Sequence, residues 1–153
     1  MPSAPKIPVA WYAVIDFFTA SLAWACFFFA RKWILQEVIT DAGRLQVDLQ
    51  FWLGITCIPA GWLILYSIAG TYHSLYRKSR LFEFTSTFIC TLIGSTVLFF
   101  LLLLDDAGDH YTYYYLGFFS LFTIHFIFTF TGRWWLLNKV KRQLLSGDVY
   151  FNT

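Results

Sequence analysis

The sequence predicts an all-α integral membrane protein with four transmembrane helices, on the grounds of its composition, its hydropathy pattern and its charge distribution. Hydrophobic residues make up 58% of the 153 residues and charged residues 13%, whereas soluble domains average about 45–50% apolar and about 25% charged residues. This composition excludes a disordered chain, a nucleic-acid-binding module and an ordinary water-soluble domain. A membrane-spanning helix needs about 20 mostly apolar residues. Four segments meet this requirement: residues 7–30, 51–70, 84–104 and 113–131.

The first span is too long for the apolar region of a signal peptide and lacks a cleavage site, so we expect a retained helix. Its most informative residue is Asp16, which lies roughly 13 Å along the helix from Ile7 at about 1.5 Å per residue. An acid at that depth costs at least about 2.5 kcal/mol, so it should face the bundle interior or water. Asp16 is therefore either a partner for protons or lipid headgroups, or a hydrogen-bonded residue that fixes helix packing.

Between the first two spans, apolar residues recur at helical spacing: Ile34, Leu35, Val38, Ala42, Leu45 and Leu49. They predict an amphipathic helix on the membrane surface or an extension of the first span. In the second span, Pro59 and Gly61 should kink the helix, and neighbouring helices should satisfy the backbone groups that the proline frees. Small residues should let the helices pack closely: Ala20, Gly54, Gly61 and Gly94.

The loop before the third span is the densest polar cluster of the sequence, with Arg77, Lys78 and Arg80 beside Tyr and Ser donors. Three cations within four residues could contact the phosphate of a lipid at the membrane surface. The alternative is that they are topology anchors held loosely by anionic lipid. Arg80 and Glu83 are three residues apart and could pair on the helix that opens the third span.

The loop between the third and fourth spans contains Asp105, Asp106, Asp109 and His110. Carboxylates and an imidazole could bind a divalent cation, but the spacing matches no calcium-loop pattern, so we expect a solvated loop and no metal. His125 lies in the middle of the fourth span. A haem would need a second axial ligand at this depth, so we expect no cofactor and a hydrogen bond from His125 to a neighbouring helix.

Lysine and arginine are distributed unequally between the two sides of the membrane. Eight lie on the side of both termini and three on the other, where Arg31, Lys32 and Arg44 are found. The positive-inside rule therefore predicts cytoplasmic termini. Aromatic belts are expected at both interfaces: Trp11, Tyr12, Tyr72, Tyr76, Trp134 and Trp135 on the inner side, and Trp33, Trp52, Tyr111, Tyr113, Tyr114 and Tyr115 on the outer side.

Two units follow from this pattern. Residues 1–142 are expected to form the four-helix transmembrane domain, and residues 143–153 a linker after it. Within that linker, Ser146, Gly147 and Asp148 break the helix, and the three apolar residues after them resemble the start of a strand too short to be stable alone. The sequence contains no phosphate-cradling glycine loop, no HExxH and no GxSxG, so we assign no catalytic residue.

Several stretches resemble one family, the bacterial polyprenyl-phosphate (undecaprenyl-phosphate) sugar-phosphate transferases that initiate exopolysaccharide synthesis. Order and spacing match across nearly the whole chain. The matching stretches are Asp16-Phe17-Phe18, Trp24, Phe27 through Lys32, Gly70-Thr71-Tyr72, Tyr76 through Leu81, Gly94, Phe99-Phe100, Leu104-Asp105-Asp106, Tyr114-Tyr115, Arg133 and Gly147 through Thr153.

The resemblance implies the membrane-anchoring N-terminal region of such a transferase, in a bacterial inner membrane. Members of the family continue into a middle domain and a catalytic domain that transfers a sugar phosphate to the lipid phosphate. The resemblance therefore implies that residues 143–153 begin a linker toward a cytoplasmic domain that this chain lacks. This chain alone lacks the catalytic domain, so whether it works as an enzyme stays open. The partners that the resemblance implies are membrane lipid, polyprenyl phosphate and the missing catalytic domain or subunit, with no nucleic acid. The sugar and the oligomeric state are not predicted.

A function of another class is also compatible with the sequence. Short four-span proteins of this size can present or flip polyprenyl-linked sugars. Such a protein would need a functional acid within the membrane, and Asp16 is the candidate.

Overall fold

A computed structural model describes residues 9–34, 49–72, 79–103 and 111–145 of the chain. These residues form α1 (Val9–Ile34), α2 (Leu49–Ile68), α3 (Arg80–Leu98), a π-helical continuation of α3 (Phe99–Leu103) and α4 (Tyr111–Leu145). Four helices are long and apolar enough to cross a membrane, and no strand occurs in these segments. The predicted all-α membrane fold with four spans is confirmed.

The four helices alternate in direction around the bundle. Ring contacts join the end of α1 to the start of α2, as Phe28 to Phe51, and the end of α3 to the start of α4, as Phe99 to Phe118. We call the end where α1 and α3 begin and α2 and α4 finish the proximal end, and the opposite end the distal end. Helix α1 packs most extensively against α4 and α2, while α2 and α3 contact each other least among neighbouring pairs.

The distal half of the bundle is apolar and built from large rings. Its buried core contains Trp24, Phe27, Phe28, Phe51 and Leu121, which we call the distal aromatic cluster. The Trp24 indole N–H donates to the carbonyl of Phe51 at 3.4 Å, so its polar atom is satisfied within the cluster. Aromatic pairs in T-shaped and tilted arrangements supply van der Waals contact, which drives helix association in lipid.

Glycines admit large rings at two helix contacts. A Cβ added at Gly54 would lie 2.2 Å from the Trp24 ring, and one added at Gly94 would lie 2.5 Å from the Trp62 ring. Gly61 behaves differently, because no atom lies within 4 Å of a Cβ built there. The expectation that Gly61 packs a helix interface is therefore wrong, since this residue borders open space on the bundle exterior.

The backbone break at Pro59 is repaired by a neighbouring helix. Pro59 has no N–H to give to the carbonyl of Ile55, four residues earlier. The Ser21 hydroxyl on α1 donates to that carbonyl at 3.2 Å and to its own Phe17 carbonyl at 2.9 Å. Helix α2 runs unbroken from Leu49 to Ile68 around the proline.

Helix ends at the proximal side place polar residues inward. Gly70, with a φ of 68°, follows the last turn of α2. The Thr71 N–H donates a hydrogen bond to the Tyr66 carbonyl at 3.0 Å, as in a Schellman cap. Ser79 caps α3 by accepting a hydrogen bond from the Phe82 N–H. These two caps bring Tyr72 and Glu83 to the same level of the bundle.

Helix α4 is longer than its predicted span. It continues from Tyr111 to Leu145, which is about 52 Å at about 1.5 Å per residue. Its last turns hold Lys139, Lys141 and Arg142, so the basic stretch after the span is helical. The predicted amphipathic segment of residues 35–48, the acidic loop of residues 105–110 and the tail of residues 146–153 lie outside the described residues.

Most of the described aromatic residues that were predicted to form the interfacial belts are exposed, for example Trp33 and Tyr111. Two are not. Tyr12 is 1% exposed, and the half-buried Tyr72 donates a hydrogen bond to Asp16. Both tyrosines turn their hydroxyls inward, because each binds an acid inside the bundle.

Candidate functional site

The proximal half of the bundle interior contains a cluster of charged and aromatic side chains centred on Arg133 of α4. We call it the ionic cluster, and its members come from α1, the end of α2, α3 and α4. They are Tyr12, Asp16, Tyr66, Tyr72, Glu83, Thr87 and Arg133. All except Tyr72 are exposed by 1% or less.

Arg133 binds Asp16 in a bidentate pair. Its Nε donates to Asp16 Oδ1 at 2.8 Å and its Nη2 donates to Oδ2 at 2.6 Å. Two parallel charge-assisted bonds fix the orientation of both groups as well as their separation. The pair therefore holds α1 and α4 at one relative height.

The same guanidinium also binds α3. Its Nη1 donates to Glu83 Oε1 at 3.2 Å and to the Thr87 hydroxyl at 3.1 Å. Glu83 lies in the first turn of α3, where the positive end of the helix dipole favours a carboxylate. Arg133 thus joins three helices through a single planar group.

Three tyrosines complete the cluster. Tyr12 donates to Glu83 Oε1, and Tyr72 donates to Asp16 Oδ2 at 3.0 Å. Tyr66 of α2 places its ring 3.7 Å from the Arg133 guanidinium carbon, a cation–π contact in a water-poor site. Burial, followed by the charge of Asp16, raises the pKa of Tyr72 above its usual range, so its phenol remains a hydrogen-bond donor.

Electrostatics favour a structural role for this cluster. Charged groups taken out of water need close partners and satisfied lone pairs, and the guanidinium here donates four hydrogen bonds to three side chains. Among the described residues, no group of three His, Cys, Asp or Glu side chains could hold a metal ion. The arrangement can fix helix positions and retain charge within the membrane.

A second feature lies on the outside of α3 and α4. Six rings form a continuous ladder with neighbouring centroids 5.5–6.3 Å apart. We call it the aromatic ladder, and its members are Phe84, Phe88, Phe122, Phe126, Phe130 and Trp134. Its α4 residues recur every four positions, which makes the ladder about 18 Å long at about 1.5 Å per residue. At its proximal end the exposed Arg80 lies 4.9 Å above the Trp134 ring.

The structure separates the residues that the sequence singled out. Asp16 lies in the ionic cluster, and Arg80 lies at the bundle exterior, while Arg77 and Lys78 lie outside the described residues. The prediction that Arg80 pairs with Glu83 is wrong. Glu83 points inward and binds Arg133, whereas Arg80 points outward and lies over the Trp134 ring.

His125 is buried in mid-bundle with its ring 3.9 Å from that of Trp62. Its Nε2 makes no hydrogen bond to any described residue. Among the described residues, Nε2 therefore does not supply the hydrogen bond to a neighbouring helix that was expected of His125. The ring contact with Trp62 takes its place at the α2–α4 contact.

Sequence reasoning missed Arg133, which it counted among the surface cations of the cytoplasmic side. With Arg133 buried, seven cations rather than eight remain on that side against three on the other, so the predicted orientation is unchanged. A signal was present in the sequence, because α3 carries polar residues at every fourth position: Glu83, Thr87, Thr91 and Ser95. Such a stripe on a spanning helix indicates a polar interior that needs partners.

No family model matches the chain, and neither a curated protein nor a solved structure matches it.

Proposed function

We propose that this chain is the membrane-anchoring region of a polyprenyl-phosphate sugar-1-phosphate transferase that initiates exopolysaccharide synthesis in a bacterial inner membrane. The observation that carries the proposal is the Asp16–Arg133 pair. Both residues belong to stretches that resemble the family. Although 117 positions separate them in the chain, their side chains bind each other. A resemblance due to apolar composition alone would not select two charged residues that meet in space.

The chemistry of the ionic cluster supports an anchor. Arg133 binds both Asp16 and Glu83, and all three side chains are buried, so they hold helices together. A bundle locked in this way gives a fixed platform for a domain attached after α4. Helix α4 extends to Leu145 with basic residues in its last turns, which provides a rigid connection to such a domain.

Recognition of the lipid phosphate is proposed for the basic group Arg77, Lys78 and Arg80. Arg80 lies at the proximal end of the aromatic ladder, where a cation at headgroup level would adjoin an apolar surface about 18 Å long. A long-chain lipid phosphate has these two parts in the same order. The partners of the anchor are accordingly membrane lipid, polyprenyl phosphate and the catalytic domain or subunit.

The first test is the intact mass of the native product, purified from its own membranes. A mass several times larger than 17.9 kDa, with a transferase sequence in the additional part, supports the proposal. A product of 17.9 kDa that copurifies with no transferase contradicts it.

The lipid contact is tested separately. Arg77, Lys78 and Arg80 are replaced together by Gln, and binding of a polyprenyl phosphate to the protein in nanodiscs is measured. A matched control replaces the three cations Lys139, Lys141 and Arg142 of α4 by Gln, which removes the same charge from the same end. Loss of binding in the first variant only is expected, and equal binding in both variants contradicts the contact.

The second candidate, a four-span protein that presents or flips polyprenyl-linked sugars, rests on the buried acid Asp16. Both oxygens of Asp16 are held by Arg133, which favours the anchoring role. Reconstituted vesicles distinguish the two functions. Normal translocation of a lipid-linked sugar by an Asp16→Asn variant would exclude Asp16 as a transport group, whereas a selective loss with unchanged folding would favour transport.

A further inference from the structure

The interior between the ionic cluster and the distal aromatic cluster is lined by polar side chains whose polar atoms find no hydrogen-bond partner among the described residues. Six buried side chains from three helices each have a polar atom that forms no hydrogen bond to the described residues. We call them the polar column: Trp62 and Tyr66 on α2, Thr91 and Ser95 on α3, and His125 and Thr129 on α4.

Two outward-facing hydroxyl groups of the same bundle are satisfied within their own helices. Thr56 on the exposed face of α2 donates to the Trp52 carbonyl at 3.2 Å, and Thr96 on the exposed face of α3 donates to the Leu92 carbonyl at 2.8 Å. This is the usual solution for a hydroxyl in an apolar environment. Thr91, Ser95 and Thr129 form no such bond, so their hydroxyls are directed at the interior rather than at their own backbone.

The column follows the bundle axis from one cluster to the other. On α4, Thr129 and His125 lie one and two turns from Arg133, at about 6 Å for each four residues. On α3, Thr91 and Ser95 continue the stripe that starts at Glu83. Beyond Ser95, Leu98 and Phe99 pack against the distal aromatic cluster, where the described interior becomes apolar.

We propose that the polar column binds a chain of ordered water molecules that is continuous with the ionic cluster and ends at the distal aromatic cluster. A buried polar atom without a partner is costly, and water supplies the missing donor or acceptor at each position. Trp62 offers only a donor, whereas the hydroxyls can both donate and accept. Water is small enough to bridge these groups, and the seam between α2 and α3, the least extensive of the neighbouring contacts, borders the column.

This hydrated interior is independent of the anchoring role. It brings water to within a few hydrogen bonds of Asp16 and Glu83, through a column that stops halfway across the bundle. The distal aromatic cluster closes the other half. The bundle is therefore hydrated on one side only and does not conduct protons through its described interior.

Water-edited solid-state NMR on the labelled protein in lipid bilayers tests this directly. Transfer of magnetisation from water should reach Thr91, Ser95, Thr129 and the His125 ring as quickly as it reaches exposed polar residues. It should be slow at the matched residues Thr56 and Thr96, which face outward, and at Phe27 in the distal aromatic cluster. Equally slow transfer at interior and outward threonines would overturn the proposal, and rapid transfer at Phe27 would overturn the closed distal end.

The isosteric change Thr91→Val provides a second test through the sign of its effect. In a hydrated column the valine loses a water partner and the protein becomes less stable, with loss of the water signal at neighbouring Ser95. In a dry interior the same change removes an unsatisfied hydroxyl and the protein becomes more stable. Thr96→Val is the control for the change of residue type on the same helix. A stabilised Thr91→Val variant with unchanged Ser95 signals overturns the proposal.

Discussion

Replacement of Arg133 by Met tests the ionic cluster most directly. The side chain is of similar length, but it removes three hydrogen bonds to carboxylates and one to Thr87. At about 1.5 kcal/mol for each bond to a charged group, the three bonds to acids account for about 4–5 kcal/mol. This agrees with the loss of about 3–5 kcal/mol observed when one member of a buried ion pair is removed and its partner is left uncompensated.

Reversible unfolding in mixed micelles, followed by circular dichroism, measures this loss. Lys139→Met on the exposed part of α4 is the matched control and should change the free energy of unfolding by no more than about 0.5 kcal/mol. A triple variant with Asp16→Leu, Glu83→Met and Arg133→Met should recover most of the stability, because it leaves no buried charge without a partner. The reasoning fails if Arg133→Met is as stable as the control, or if the triple variant is less stable than the single one.

Two further predictions concern the contacts between helices. Gly94→Ala should destabilise the bundle by about 1–3 kcal/mol because its Cβ would lie 2.5 Å from an indole ring. Gly61→Ala, with open space at its Cβ, should be neutral or more stable by up to about 1 kcal/mol, and equal effects of the two changes in the unfolding assay would contradict the assigned packing. Ser21→Ala should cost about 1 kcal/mol because it leaves the Ile55 carbonyl without its donor. A Pro59→Ala background restores the backbone N–H, so the cost of Ser21→Ala should shrink there, and an unchanged cost would refute the repair.

The spans could be predicted from the sequence because hydropathy over about 20 residues is a property of each segment alone. The inward position of Asp16 follows in the same way from the cost of an acid in lipid. The burial of Arg133 near the proximal end of α4 could not be predicted in this way. Arg133 follows the predicted span and precedes more cations, so in one dimension it resembles an interfacial residue. Only the alternation of the helices places it at the level of Asp16 and Glu83.

The pairing of Glu83 was missed for a related reason. A local rule for residues three apart on a helix connects Glu83 to Arg80. Burial decides the outcome, because a carboxylate on the inner face of α3 must find a cation inside the bundle, and Arg133 reaches it. Arg80 on the outer face remains beside Trp134. The local rule describes solvent-exposed helices, and it loses its force where one face of the helix is sealed from water.

The two ends of the bundle solve the problem of helix association in different ways. Lipid offers no hydrophobic drive for one apolar helix to join another, so contact must come from close packing or from polar bonds. The distal end uses ring contacts, with Gly54 making room for the Trp24 ring on α1. The proximal end uses Arg133, whose directed bonds fix the relative heights of α1, α3 and α4. Helix α2 meets that end through the Tyr66 ring rather than through an ion pair to Arg133. Since a ring contact is less directional than a bidentate bond, the ionic cluster determines the register of three helices and α2 is positioned mainly by packing.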